Sequence, residues 1–193
     1  MATKGLILSA FGKYAFTNNA VTYSEGKIIG HAISFQFTPT STDDNPLYGD
    51  DMVVEHDNGG LNGGDLTLNI SELPMADKAW LFGISTSSTS GGGIIYSYND
   101  DMQPITVGYG TVEVMQINDV NKYLGTIFTK CIPKIPSVTA NTKGASIEWQ
   151  TPEIEFTVER DESSKHDWQK QQEFTTLSDA ETWIKGVLGV SEG

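Results

Sequence analysis

Carboxylates are the side chains in this sequence best suited to chemistry, and they fall into two stretches. Asp43-Asp44-Asn45 and Asp50-Asp51 crowd one polar segment, while Glu148, Glu153, Glu155 and Glu159 run through another. Loop carboxylates supply the hard oxygen donors that calcium takes. The EF-hand pattern is absent, because no Glu stands at its closing position. Gly59-Gly60-Leu61-Asn62-Gly63-Gly64-Asp65 resembles a calcium-binding nonapeptide, but that motif works in tandem arrays and occurs here once. A hinge is the better reading. Paired carboxylates also serve glycoside hydrolysis. The glutamates here alternate with Ile154, Phe156 and Val158, as on the solvated face of a strand.

The other candidates read as structural. His31, His56 and His166 are scattered, and none has a second ligand at a metal-like spacing. Cys131 sits in a strand pattern beside Phe128 and Ile132, as a packed small residue rather than a nucleophile. There is no phosphate-cradling G-x-x-x-x-G-K or G-x-G-x-x-G and no G-x-S-x-G elbow. The expectation is therefore no catalytic residue, no metal and no cofactor. Trp149, Trp168, Tyr96 and Tyr98 could stack on sugars, which keeps a carbohydrate-binding β-sandwich as the alternative.

The elements that would carry these residues are mostly strands. Leu66, Leu68 and Ile70 alternate with Thr67 and Asn69. From Ile105 to Ile117, Ile105, Val107, Tyr109 and Thr111 share one face, and Val112, Val114 and Gln116 the other. Gly108 and Gly110 there mark a close approach or a bulge. A turn over 118–121 returns the chain as a strand from Tyr123 to Ile132, ended by Pro133 and Pro136. Val21 to Tyr23, Ile28 to Phe37, Ile147 with Trp149, and 154–158 complete the strand set. Two helices stand out. One opens at Ser71-Glu72-Leu73-Pro74, carries Leu73, Ala76, Ala79, Trp80 and Leu81 as its stripe, and stops at Gly83. The other is capped by a Ser178–Glu181 box, carries Ala180, Trp183, Ile184, Val187 and Leu188 on one face, and ends at Gly189. Residues 85–93 read as a flexible loop and 160–173 as an exposed polar stretch.

The segment 47–68 fits none of these classes. It is polar, acidic and Gly-rich, too long for a hairpin turn, and holds its own short strand at Met52-Val53-Val54. Long connections inside compact domains are usually functional or disordered. This one reads as a loop that orders against another subunit.

A chain of 193 residues can bury one sizeable core. With 25 acidic and 12 basic side chains, its net charge is −13. That argues against tight nucleic-acid binding, which needs Lys and Arg on phosphates. One cysteine excludes an intramolecular disulfide framework and fits a reducing compartment. Leu6-Ile7-Leu8 is broken at once by Ser9 and Gly12, so no secretory segment is expected, and no apolar run is long enough for membrane insertion. Synthesis in a cytoplasm follows.

The order of the short motifs carries one resemblance. Leu47-Tyr48-Gly49-Asp50-Asp51 is followed by Gly64-Asp65-Leu66-Thr67-Leu68, by Glu72-Leu73-Pro74, and by Thr142-Lys143-Gly144 leading to Trp149-Gln150-Thr151-Pro152. From about Gly5 to Glu159 the chain resembles the major tail (tail tube) proteins of long-tailed, siphovirus-type phages and prophages. It departs from them at Lys130-Cys131, where the family often keeps Lys-Gly, and from Arg160 onward. The resemblance implies a mainly β fold, a β-sandwich or barrel-like core with a flanking helix, here joined by a C-terminal helix. It implies one domain over 1–193, with an assembly loop at about 39–64 and a polar stretch plus helix at about 160–189. It also implies a virion tail protein, without enzymatic activity, made in the host cytoplasm. Its copies form hexameric rings stacked head to tail into a tube, meeting a tape measure protein and tail terminator or tip proteins, and DNA crosses the lumen unbound. The alternative becomes a carbohydrate-binding module of a phage adhesion device. On the leading reading Leu47, Tyr48, Asp50, Asp51, Met52, Val53, Val54 and Glu55 form the inter-subunit loop. Glu113, Glu148, Glu153 and Glu155 are the candidate lumen charges.

Overall fold

The computed structural model describes residues 2–41, 45–49, 52–57, 61–117, 119–136 and 151–191. Its strands are β1 (Ala2–Thr17), β2 (Ala20–Ile28), β3 (Ala32–Ser41), β4 (Asn45–Gly49), β5 (Met52–Asp57), β6 (Leu61–Ile70), β7 (Ser85–Ser88), β8 (Ile94–Ser97), β9 (Val107–Ile117), β10 (Val120–Pro133), β11 (Glu153–Glu159) and β12 (Gln169–Phe174). Helix α1 covers Met75–Phe82 and α2 covers Leu177–Leu188. The fold is mainly β, built around one large antiparallel sheet.

That sheet runs β2-β1-β9-β10-β11-β6-β3, with β12 also on β10. Strand β10 serves two neighbours along its length. Tyr123 to Phe128 pair with β12, and Lys130 to Pro133 pair with β11. The sheet curls, because Phe11 of β1 brings its ring within 6.1 Å of Phe156 on β11, a strand not adjacent to β1. Its concave face holds an aromatic core of Phe11, Tyr109, Phe128 and Phe156 with Leu66, Leu68 and Ile70. Helix α1 closes this core with Ala79, Leu81 and Phe82. The result is a sandwich- or barrel-like body.

Helix α2 builds a second core on the opposite face. Ala180, Ile184 and Leu188 cover Ala10, Val112 and Ile127. Glycines make this seat close, as the sequence suggested for Gly108 and Gly110. A Cβ on Gly110 would lie 2.5 Å from the Cγ2 of Ile184, and one on Gly12 would lie 2.4 Å from the carbonyl oxygen of Leu188. The chain after α2 is pinned to the sheet by a bridge between Gly26 and Val190.

The alternating strands form as expected: Leu66, Leu68 and Ile70, and Ile154, Phe156 and Val158, are all buried. Several other expectations are corrected. The stretch from Ile28 to Phe37 is two strands, broken where Gly30 takes a left-handed φ of 60°. Strand β1 was not anticipated over its full length. Its turn into β2 uses Asn18 and Asn19, both at positive φ, the geometry of a two-residue type I′ hairpin. The turn after β9 is tighter than 118–121, since Val120 already pairs with Ile117. Helix α1 starts at Met75; Ser71 instead accepts a hydrogen bond from the His31 backbone N–H at 2.9 Å, and Ala76 is exposed. The cap of α2 is Thr176, whose hydroxyl accepts from the Asp179 N–H at 3.2 Å, because the helix begins one residue before Ser178.

The polar stretch 160–173 is not simply exposed. Trp168 stacks on Phe37 at 5.0 Å, Asp161 is buried, and β12 joins the sheet. Its sequence, QKQQEF, lacks alternating hydrophobics because it is an edge strand with both faces largely wet. Residues 85–93 form β7 and a hairpin tip. Thr89 closes that tip by accepting from the Gly93 N–H at 3.0 Å and donating to the Gly93 carbonyl at 3.1 Å. The strand expected at Ile147 and Trp149 lies outside the described residues.

Candidate interaction surface

Strands β3 and β6 pair from Ala32↔Ile70 to Ser41↔Leu61. The chain therefore leaves the sheet after Ser41 and returns to the same point at Leu61. Between them β4 and β5 pair, among the described residues, only with each other, in a two-stranded sheet separate from the main one. Leu47 and Tyr48 lie on β4, and Met52, Val53, Val54 and Glu55 on β5, with Leu47 opposite Glu55 and Tyr48 opposite Val53. The structure thus brings six of the eight loop residues onto one hairpin. Asp50 and Asp51 lie outside the described residues. The excursion is an arm on the edge of the sheet, where the sequence suggested an open loop with one short strand.

Strands β3, β6 and β11 expose a polar face. On β11, Ile154, Phe156 and Val158 point into the core, so Glu153, Glu155, Thr157 and Glu159 point out. Their partners on β6 are Asn69 opposite Glu153, Thr67 opposite Glu155 and Asp65 opposite Thr157. Ser34, Gln36 and Thr38 of β3 continue the row. Helix α2 covers the outer face of β1, β9 and β10, whereas this face carries exposed polar side chains. Asp65 belongs to the surface, although sequence reasoning passed over it; the alternation of Leu66 and Leu68 was the signal.

Charge on this face is only partly balanced. Lys134 reaches Asp65 at 2.7 Å, and Lys130 reaches Glu159 at 3.0 Å and Glu162 at 2.8 Å. Burial disfavours the Lys130 ammonium, but the bonds from Glu162 and Glu159 outweigh it and hold its pKa above the ordinary lysine value. Tyr14, bonded to Glu162 beside it, is pushed up to about 12, first by desolvation and then by that carboxylate. Glu153 and Glu155 are exposed and have no ion-pair partner among the described residues.

Glu113 does not share this face. It lies on β9 in the row of Tyr109 and Thr111, on the concave side, and accepts a hydrogen bond from Thr126 at 3.2 Å. Desolvation raises its pKa, and the Thr126 bond partly opposes the shift. An acid whose folded pKa exceeds its unfolded value costs stability once it ionises. That cost is absent in acid, where both states are protonated, and complete above the folded pKa. Glu113→Gln, which keeps the acceptor for Thr126, is therefore expected to raise Tm at pH 7. It leaves Tm unchanged below the ordinary carboxylate range, as melts at the two pH values would read. Glu148 lies outside the described residues.

Among the described residues, the aromatics of the alternative reading do not share one surface. Trp168 and Tyr96 pack against the core, leaving Tyr98 half exposed beneath the Lys78 ammonium; Trp149 is outside the described residues. Among the described residues no group of three or more His, Cys, Asp or Glu is placed to hold a metal. The Cys131 thiol is fully buried, and desolvation raises its pKa, which makes it inert. Among the described residues no helix is long and apolar enough to cross a membrane. No known protein-family profile matches this chain, and neither does any curated protein.

Proposed function

We propose that this protein is a tail tube subunit of a long-tailed phage or phage-derived particle, a structural protein whose work is self-assembly. The observation that carries the reading is the arm: a hairpin hung from a closed sheet register and, among the described residues, paired to no other strand. A lone two-stranded hairpin is marginal in water and gains stability from a third surface. A neighbouring copy provides one. Contacts between unlike surfaces close into rings or run on as filaments, and a stacked tube needs both. The hexameric ring, the tape measure partner and the terminator or tip partners follow from the family resemblance.

The acidic face of β3, β6 and β11 suits a conduit wall. Glu153 and Glu155, without an ion-pair partner among the described residues, repel phosphates, and the net charge of −13 extends that field. Electron microscopy of the purified protein tests the reading: rings or smooth tubes with six-fold end views are expected. A protein that stays monomeric at every concentration overturns it. Within tubes, Glu153→Lys with Glu155→Lys is expected to make DNA adhere in a salt-dependent way while tube length is unchanged. Tubes of this variant that ignore DNA at low salt would remove this face from the lumen.

A further inference from the structure

The chain carries a second self-contained hairpin that the arm does not explain. Among the described residues, strands β7 and β8 pair only with each other, Ser85↔Ser97 through Ser88↔Ile94. Only Tyr96 packs inward, against the aromatic core. Ile94, on the same face as Tyr96 but nearer the tip, is 60% exposed. Ile95, on the opposite face, is 50% exposed, and Tyr98 just beyond the strand is 54% exposed. The distal end of the hairpin therefore shows branched aliphatics on both faces, while Thr89 holds its tip closed. Exposed apolar side chains scattered singly need no explanation, but neighbouring ones on a projecting hairpin mark contact surfaces.

Charge identifies the partner. Every residue from Ala79 to Asn99 is uncharged, in a chain of 25 acidic and 12 basic side chains. Two copies at −13 each repel wherever carboxylates face one another. An uncharged hairpin that exposes Ile94 and Ile95 is where copies of like charge can touch without desolvating carboxylates. We propose that the β7–β8 hairpin, through Ile94 and Ile95, docks against a second copy of this chain and forms an assembly contact separate from the β4–β5 arm.

This contact rests on the reading that the chain self-assembles, and the test separates the two. Wild-type protein and the double variant Ile94→Ser, Ile95→Ser are compared by sedimentation velocity over a concentration series, by electron microscopy, and by hydrogen exchange of 85–97. Both isoleucines are exposed, so Tm is expected to stay within a degree or two of wild type. The expected result is at least a 10-fold higher concentration for assembly of the variant. In assembled wild type, the hairpin amides gain protection. If the variant forms the same rings or tubes at the same concentration, the hairpin proposal falls and the tube reading stands. If wild type forms only small oligomers that the variant loses, the hairpin contact stands and the tube reading falls. Wild type that never self-associates, or that instead binds neutral phosphatidylcholine vesicles through this hairpin, overturns the proposal.

Discussion

Replacing residues 42–60 with a two-residue Asn-Gly turn is expected to abolish the proposed tube growth and to leave the body folded. The reason lies in the register. Ser41 and Leu61 already face each other at the end of the β3–β6 ladder. A short turn therefore joins them without moving either strand. Shortening a connection lowers its closure entropy, so Tm is expected to hold or rise slightly. The aromatic core of Phe11, Tyr109, Phe128 and Phe156 is built on β1, β9, β10 and β11, none of which the replacement touches. Assembly loses Leu47, Tyr48, Met52, Val53 and Val54 together. Tyrosine is among the residues that most often carry binding energy, and removing Tyr48 together with its four apolar neighbours is expected to raise the assembly concentration by about 100-fold or more. Sedimentation and negative-stain images at matched concentrations provide the measurement. Normal tubes from the shortened chain would show that the arm is not the contact. A chain that unfolds would show that the arm belongs to the body.

The parts of this architecture that were legible in the sequence are those where one physical signal acts alone. Period-2 alternation located Leu66, Leu68 and Ile70, and likewise Ile154, Phe156 and Val158, because each strand has one dry face and one wet face. The acidic face could be read from the same alternation, one strand at a time. What alternation could not give was the joining of Asp65 to Glu155 and Glu159, which depends on the pairing of β6 with β11. Nor could it separate Glu113 from Glu153, which required knowing that β9 turns its odd positions toward the concave core. Strand β12 escaped notice because its pairing is carried by backbone hydrogen bonds to β10 and its side chains are polar. The β7–β8 hairpin escaped because a Ser/Thr/Gly composition signals a loop, while its order comes from the Thr89–Gly93 bonds and the single inward Tyr96. The arm was visible as an anomaly of length and composition. Its hairpin form was not, because the pairing of β4 with β5 crosses a register shift between Leu47 and Tyr48.

Gly12→Val undocks α2 and destabilises the fold by about 2–3 kcal/mol. Valine is a better strand former than glycine, so local propensity favours the substitution and cannot account for a loss. The loss comes from space. A Cβ at position 12 meets the Leu188 carbonyl oxygen at 2.4 Å and the Tyr23 Cβ at 3.1 Å. The first is helix backbone, which no rotamer change can move aside. The helix end cannot simply lift, because the Gly26 N–H donates to the Gly189 carbonyl at 3.2 Å and Gly26 bridges Val190. Either that staple breaks or β1 shifts, and both uncover Ala10, Val112 and Ile127. A free helix of this length is marginal in water, so an undocked α2 frays. Gly5→Val is the control on the same strand: a Cβ there has nothing within 4 Å, and its cost is expected to stay within about 0.5 kcal/mol. Denaturant melts rank the two variants, and hydrogen exchange over 177–188 shows whether the loss lies in α2. Equal stability of the two would mean that the helix can slide on its glycine seat. Unequal stability with unchanged α2 protection would place the strain in β1 instead.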